Sequence, residues 1–385
     1  MIELRAGVIR EVRERGPRRI RLLVEVGASH DPAHVREAWA FADLGPRSWR
    51  PGQRVLCNTT AVSLGLGTGG RHLVVAPLEP GLDVQGRVTG PVDRRQGHIV
   101  KLRYTPLQLA VMAAEEPAAP YHRVLRQALD LRGLPVAVLS LHSMLAPLVA
   151  GLRWAQGGCA RLRVAYVMTD SAALPACISD QLEALRRGRW VDLVVCSGQA
   201  FGGDLEAVHP ASALAVAQRA GADVAIVGPG PGVVGTGTAL GTTCLEVASL
   251  ADLVGALGGR AVVVPRLSIA DRRSRHRGLS HHDQTALGRL TARRSLVVLP
   301  ASLPRAWRRQ ILGQASRSGI LDRHRVVEVA PAPADRALAT LPLPPESMGR
   351  RYQDDPPLFD TCLAAGRLLA SMASERPRCW EGERR

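Results

Sequence analysis

The sequence predicts an α/β protein: a doubly wound, mostly parallel sheet preceded by a small N-terminal β-barrel or sandwich. Three observations carry this expectation. Seven runs, PVAVLSL, RLRVAYVM, VDLVVCS, ADVAIVG, AVVVPRL, SLVVLP and HRVVEVA, are nearly unbroken in apolarity, as strands covered on both faces are, and helix-like segments alternate with them. Before residue 77 the strand signals are instead short bursts parted by turns. Residues 222–246, ADVAIVGPGPGVVGTGTALGTTCLE, pass from a strand through a long Gly/Thr loop to a helix start, where Thr243 and Glu246 have capping-box spacing.

In chain order, LRAGVIREVR, RRIRLLVEV, QRVLCN and HLVVAP are the barrel strands, punctuated by Arg50-Pro51-Gly52 and Gly69-Gly70. Residues 79–96, rich in Gly, Pro and charge, read as a linker or barrel extension. Thr105-Pro106-Leu107-Gln108 predicts a helix, with Thr as N-cap, Pro in the first turn and LQLAVMAA following. A second helix spans roughly residues 121–131 and stops before Gly133. The expected domains are therefore residues 1–104, residues 105–372 and a frayed tail, 373–385.

Composition narrows the function classes. With 385 residues the chain has room for two domains. The formal charge of +16 rests on 49 Arg and a single Lys, Lys101, a skew that points to gene composition more than to a binding face. Nucleic acid is thus allowed as a partner and not favoured. The 13 aromatic residues are scattered, which weakens a base-stacking account. Seven separated cysteines without a C-x-x-C pair suit reduced, cytosolic thiols. The amino terminus has no apolar core after its basic residues, and no run approaches the roughly 18 apolar residues of a spanning helix. A cytoplasmic protein without membrane contact is expected.

In a parallel sheet, ligands bind outside the carboxyl ends of the strands, so the site loops follow from the strand assignments. In the segment after ADVAIVG, Gly230, Gly232, Gly235, Thr236, Gly237, Thr238 and Thr242 form a candidate anion cradle, since glycine lets backbone approach a ligand and a helix start favours negative charge. The segment RLSIADRRSRHRGLSHHDQT adds Arg266, Arg275 and Arg277 as phosphate or carboxylate partners. Gln199 joins these ligand-binding candidates. The acid/base candidates are His142, Asp170, Asp204, Glu206 and His276, and the metal candidates are Asp204, His209, His281 and His282. The competing reading of SGQAFGGDLEAVHP is structural, with Asp204 capping a short helix and Glu206 and His209 facing water. His276, His281 and His282 could also ligate a metal, although adjacent histidines seldom both do so and no H-E-x-x-H or Cys/His spacing is present. Cys244 is either a thiolate at a helix terminus or a small buried hydrophobe.

Other motifs exclude more than they assign. Gly230, Gly232 and Gly235 match a dinucleotide fingerprint, but Pro229 and Pro231 interrupt it and AVVVP ends in Arg266 where an acidic ribose ligand would stand. Gly65, Gly67 and Gly70 repeat the pattern where no helix follows. No Walker lysine and no G-x-S-x-G elbow occur.

The strings VLCNTTAVSLGLGTGG, GHIVKLRYTPLQ, SMLAP, YVMTDSAALP, GQAFGGDLEAVH, GPGVVGTGT and RHRGLSHH together resemble an uncharacterised bacterial family carrying a domain of unknown function, over about residues 4–370. Ser171 and Arg71 stand where that pattern usually has Gly and Tyr. The resemblance implies no activity, cofactor or residue role. The leading expectation is a protein, expected to be an enzyme, that binds a small phosphate- or nucleotide-like anion at the carboxyl edge of the sheet. A nucleic-acid-binding or scaffold protein and an NAD(P)-dependent oxidoreductase are the alternatives; neither a cofactor nor an oligomeric state is specified.

Overall fold

The computed structural model describes residues 2–26, 35–46, 48–65, 70–78, 97–127, 130–157 and 160–376. The chain divides into two compact units, Met1–Val111 and Met112–Arg385. The expected linker at 79–96 and the last residues of the expected tail, 377–385, lie outside the described residues.

In the first unit, β1 (Leu4–Arg15), β2 (Arg19–Val26), β3 (Val35–Phe41), β4 (Arg54–Asn58) and β5 (His72–Pro77) close into a barrel of order β1-β2-β3-β5-β4. Closure removes the sheet edges that a two-layer sandwich would leave. Ile9, Leu22, Val24, Ala38, Val55 and Cys57 fill the interior with no exposed surface. Outside it, Arg10 pairs with Glu25, Arg21 with Glu14, and Arg13 and Arg71 with Glu37. Much of the barrel's positive charge is thus neutralised locally.

Residues 105–111 depart from the expected helix. Thr105 Oγ1 donates to Leu102 O at 2.8 Å and accepts from Leu107 N at 3.3 Å, so the threonine closes a turn. The apolar residues that follow become β7 (Leu109–Val111), paired antiparallel with β6 (Ile99–Lys101). A partner strand ten residues upstream outcompetes the weak intrinsic helix preference of this short run. The second expected helix is shorter than read, His122–Leu125.

The second unit carries eight parallel strands: β8 (Pro135–Leu139), β9 (Val164–Thr169), β10 (Leu193–Ser197), β11 (Leu205–Ala207), β12 (Val224–Pro229), β13 (Arg260–Val264), β16 (Leu296–Pro300) and β17 (Arg325–Val329). The small hairpin β14 (Leu267–Ser268) and β15 (Gly278–Leu279) lies between β13 and β16 in sequence. The sheet order is β11-β10-β9-β12-β8-β13-β16-β17. Alternate residues enter opposite cores. Ala137, Leu139, Val164 and Tyr166 pack with the helices Leu145–Gln156 and Pro356–Ser374, whereas Val136, Val138, Ala165 and Val167 pack with Pro210–Arg219 and Glu246–Ala256. This is why six of the seven apolar runs read as unbroken: both faces are covered, whereas β17, at the sheet edge, has no buried residue. No described helix is long and apolar enough to cross a membrane.

The strand order fixes where loops converge. The chain leaves β8 and β9 for helices on one face, and leaves the neighbouring β12 and β13 for helices on the other. Loops that part to opposite faces open a crevice between adjacent strands, the position where such sheets bind ligands.

Candidate functional site

At this edge the Gly/Thr loop after β12 meets the Arg/His segment after β13. A Cβ placed on Gly235 would stand 3.1 Å from His282 Cε1, and one on Gly237 would stand 3.4 Å from the guanidinium carbon of Arg275. Thr242 Oγ1 lies 3.5 Å from His282 Nδ1. Residues 228–243 and 266–282 therefore come together at this edge.

The loop has a different internal form from a strand-to-helix cradle. It doubles back as an exposed hairpin, with Gly235 bridged antiparallel to Thr242 and Thr236 N donating to Gly241 O at 2.8 Å. Gly237 takes φ +87°, a conformation that costs an L side chain roughly 1–2 kcal/mol. The hydroxyls of Thr236 and Thr238 serve Gly241, and Thr242 Oγ1 donates to Val234 O. The helix start is capped by Thr242, which accepts from Cys244 N at 3.2 Å. Since the chain enters its helix only after this hairpin, Gly230, Gly232 and Gly235 do not make the tight strand-turn-helix of a dinucleotide site. Gly230 is packed against Ala173 and Met168, and Gly232 stands at φ +91°.

The capping-box partner expected of Glu246 is also replaced. Its carboxylate accepts from Thr169 Oγ1 at 2.7 Å and Ser171 Oγ at 2.6 Å, across the crevice between β9 and β12. Burial pushes this carboxyl up, against the two hydroxyls, and Asp170 pushes it further. A carboxyl so perturbed at a strand end is a proton-transfer candidate. Sequence reasoning missed it because S/T-x-x-E spacing reads as a cap; the only available signal was its position one turn beyond the loop.

The Arg/His segment is organised around Asp271. Arg266 Nη2 donates to it at 2.6 Å, Arg273 Nε at 3.1 Å and Arg350 Nη2 at 3.4 Å. Burial alone would raise the Asp271 carboxyl, but the bonds from Arg273 and the charges of Arg266 and Arg273 hold it below the usual carboxylate range. Arg277 Nε donates to Asp271 O, so of the expected anion partners Arg266 and Arg277 are committed to this aspartate, and Arg275 alone lies against the loop. Asp283 accepts from Arg266 N at 2.8 Å, and burial pushes its carboxyl up to about 7. His276, His281 and His282 cluster here, with ring centroids 4.2 to 5.0 Å apart.

His142, at the end of β8, is enclosed in a hydrogen-bonded group. Its Nε2 lies 2.7 Å from Ser179 Oγ, and its Nδ1 lies 3.2 Å from Tyr166 Oη and 3.3 Å from Pro229 O. It borders a cavity of about 320 Å³ that also touches Gln181, Pro231, Gly232 and Met348. A larger hollow of about 730 Å³, bounded by Trp154, Leu162, Arg367 and Ser374, has no carboxylate, histidine or cysteine among its lining residues, so chemistry favours the smaller one. Burial pushes the His142 imidazole down to about 4 from an ordinary 6.5. Above pH 6.5 both folded and unfolded chains keep this ring neutral. Between 6.5 and 4 only the unfolded chain takes up the proton, so stability falls with pH by roughly 3 kcal/mol through this one group. In urea titrations at pH 7 and pH 4, His142→Gln is expected to reduce the acid loss by about that amount; an equal loss in both proteins would refute the assignment.

Several expected site residues hold the scaffold instead. SGQAFGGDLEAVHP contains β11, a strand absent from the sequence expectation. Asp204 Oδ2 accepts from Val194 N at 2.8 Å and its other oxygen pairs with Arg186. Glu206 accepts from Gly202 N and Gly203 N at 2.8 and 3.2 Å. His209 caps the helix Pro210–Arg219 through Ala211 N at 3.1 Å. β11 is five strand spacings from β13, about 24 Å, so these three do not join the histidine cluster. Asp170 accepts from Gln199 N at 2.8 Å and ties the loop after β10 to that after β9. Cys244 is buried, with its thiol pushed up by burial, and the described cysteines 57, 177, 196, 244 and 362 form no disulfide.

No curated protein and no solved structure matches the chain. A family model described as protein of unknown function (DUF3866) matches residues 37–366, and the chain belongs to that family.

Proposed function

We propose that the carboxyl edge of the sheet binds a small phosphate-bearing anion between the hairpin 235–242 and the segment 266–283, and that Glu246 transfers a proton there, making the protein an enzyme. The observation that carries the reading is the contact of Gly235 with His282 and of Gly237 with Arg275. Burial is the main reason the His282 imidazole is pushed down, and the charges of His281, Arg266, Arg275 and Arg273 push it further, which marks a region of positive potential. Guanidinium groups suit phosphate because they present paired donors. Glycine at 235 and 237 lets a ligand oxygen approach where a side chain would stand.

The test is a thermal-shift and calorimetric panel of inorganic phosphate, pyrophosphate and nucleoside mono-, di- and triphosphates, repeated on Gly237→Val. A valine there meets Arg275 and a positive φ in an exposed hairpin tip. The expected result is a loss of affinity of about tenfold or more with the melting temperature within a few degrees, since the strain is roughly 1–2 kcal/mol. Unchanged affinity for every compound that binds the native chain, or binding by none, overturns the reading.

A further inference from the structure

His276, His281 and His282 come from two turns of chain around the hairpin β14–β15, and their rings are tilted by 49° to 82° rather than stacked. One ring nitrogen from each lies within 4.8 Å of the others. His276 Nδ1 is 2.9 Å from Ser280 Oγ, which fixes that ring. His282 Nδ1 faces Thr242 Oγ1. The Nε2 atoms of His281 and His282 are buried and have no hydrogen-bond partner among the described residues. His282 is 6% exposed and His276 1%. A buried polar atom without a partner costs about 1–3 kcal/mol, so two side by side are a standing demand for a ligand that accepts lone pairs.

We propose that His276, His281 and His282 bind one divalent transition-metal ion of the zinc class through an imidazole nitrogen of each, leaving the fourth position open. Three neutral imidazoles are the donor set such ions take when one position is kept for solvent or substrate. Tetrahedral coordination at about 2.0 Å sets the nitrogens roughly 3.3 Å apart, so the rings close inward by side-chain rotation. Ser280 and Thr242 are the outer groups that orient the imidazoles. The adjacency of His281 and His282, unusual for two ligands of one metal, is accommodated because their centroids are 4.2 Å apart at the first turn of a short helix. The guanidinium groups of Arg266, Arg273 and Arg275 oppose a bare dication. They therefore assign the open position to a hydroxide or an anionic oxygen. The three-ligand site itself stands independently of the phosphate reading above.

The experiment uses the full chain, stripped with chelator, dialysed and titrated with Co²⁺, followed by competition with Zn²⁺. One Co²⁺ per chain with the visible absorption of a tetrahedral nitrogen site, displaced by one Zn²⁺, is expected. His282→Gln, which keeps the side-chain bulk, and the half-buried His281→Ala should each weaken Co²⁺ binding by about 100-fold or more, with unchanged circular dichroism in at least one of them. Absence of stoichiometric binding, or binding that survives in whichever variant folds, overturns the site. Inorganic phosphate added to the Co²⁺ form separates the two proposals. A perturbed spectrum supports an anion at the fourth position, and an unperturbed one rejects that occupant while the metal site stands on the variants.

Discussion

Asp271→Ala is expected to lower the unfolding free energy by about 3–5 kcal/mol, measured as a shift of the urea midpoint at unchanged slope. The reason is charge left behind rather than a bond removed. The side chains of Asp271 and Arg266 are 2% and 5% exposed, and their 2.6 Å contact is the compensation that lets the guanidinium be buried. Without the carboxylate, Arg266 keeps its desolvation cost and faces Arg273 and Arg350, which converge on the same oxygens. Asp271→Asn should fall between, because an amide oxygen still accepts from a guanidinium but carries no charge. Arg272→Ala, an exposed neighbour, should stay within about 0.5 kcal/mol. A loss below about 1 kcal/mol for Asp271→Ala would show that the segment is solvated rather than built around this residue.

The stability of that network bears on function because it sets the walls of the crevice. Asp355 extends it: its carboxylate accepts from Ser268 Oγ at 2.6 Å, Ile269 N at 2.9 Å and Arg350 Nε at 3.1 Å. Ser268 Oγ in turn accepts from Asp271 N at 3.0 Å. The loop bearing the three histidines is thus held from its start at β14 to the helix that begins at Pro356. A site on a loop needs such support if its ligand atoms are to stay within a fraction of an ångström of their working positions.

What was legible in the sequence follows the physics of burial. Six of the seven long strands were visible because each is covered on both faces, and apolar side chains there leave an unbroken run; β17, at the sheet edge and without a buried residue, was legible from its valines alone. β11 was invisible because three residues of mixed polarity at a sheet edge bury too little to mark the sequence. Convergence of residues 228–243 with 266–282 was also legible, since strand ends and chain order alone place those loops together. The form of the Gly/Thr loop was not. Threonine hydroxyls that close a hairpin on Gly241 and hydroxyls free for an anion look the same in one dimension. Asp204 and His209 teach the converse lesson: carboxylate and imidazole beside glycines suggest chemistry, yet here one takes a backbone N–H of β10 and the other caps a helix. The three histidines could be named from the sequence as possible ligands, but their convergence needed three dimensions, because nothing in R-H-R-G-L-S-H-H says that positions 276 and 281 turn toward each other. Thr105 misled for a related reason: its helix signal is local, whereas the strand that follows it pairs with residues eight to twelve positions upstream.

Gly366→Ala should destabilise the second unit by about 3 kcal/mol, and Gly366→Leu should prevent recovery of folded protein. The helices Leu145–Gln156 and Pro356–Ser374 cross at Gly151 and Gly366, which face one another's backbones. A Cβ on Gly366 would run into Leu148 O and Leu152 N, and one on Gly151 into Leu363 O. These obstacles are main-chain atoms of regular helices, so no rotamer change relieves them and the helices must move apart. Separation would strip contacts from Leu148, Leu152 and Leu363, none of which has exposed surface. The displacement also travels. Asp355, one residue before the moving helix, grips Ser268 and Ile269, so the histidine loop should loosen with the crossing. Urea denaturation together with amide exchange of residues 266–283 checks both steps, with Ser371→Ala on the exposed face of the same helix as the comparison, expected within about 0.5 kcal/mol. If Gly366→Ala lost stability while exchange in 266–283 stayed at the native rate, the crossing would be a packing feature alone. Faster exchange there would show that the site is braced by a helix contact on the far face of the sheet.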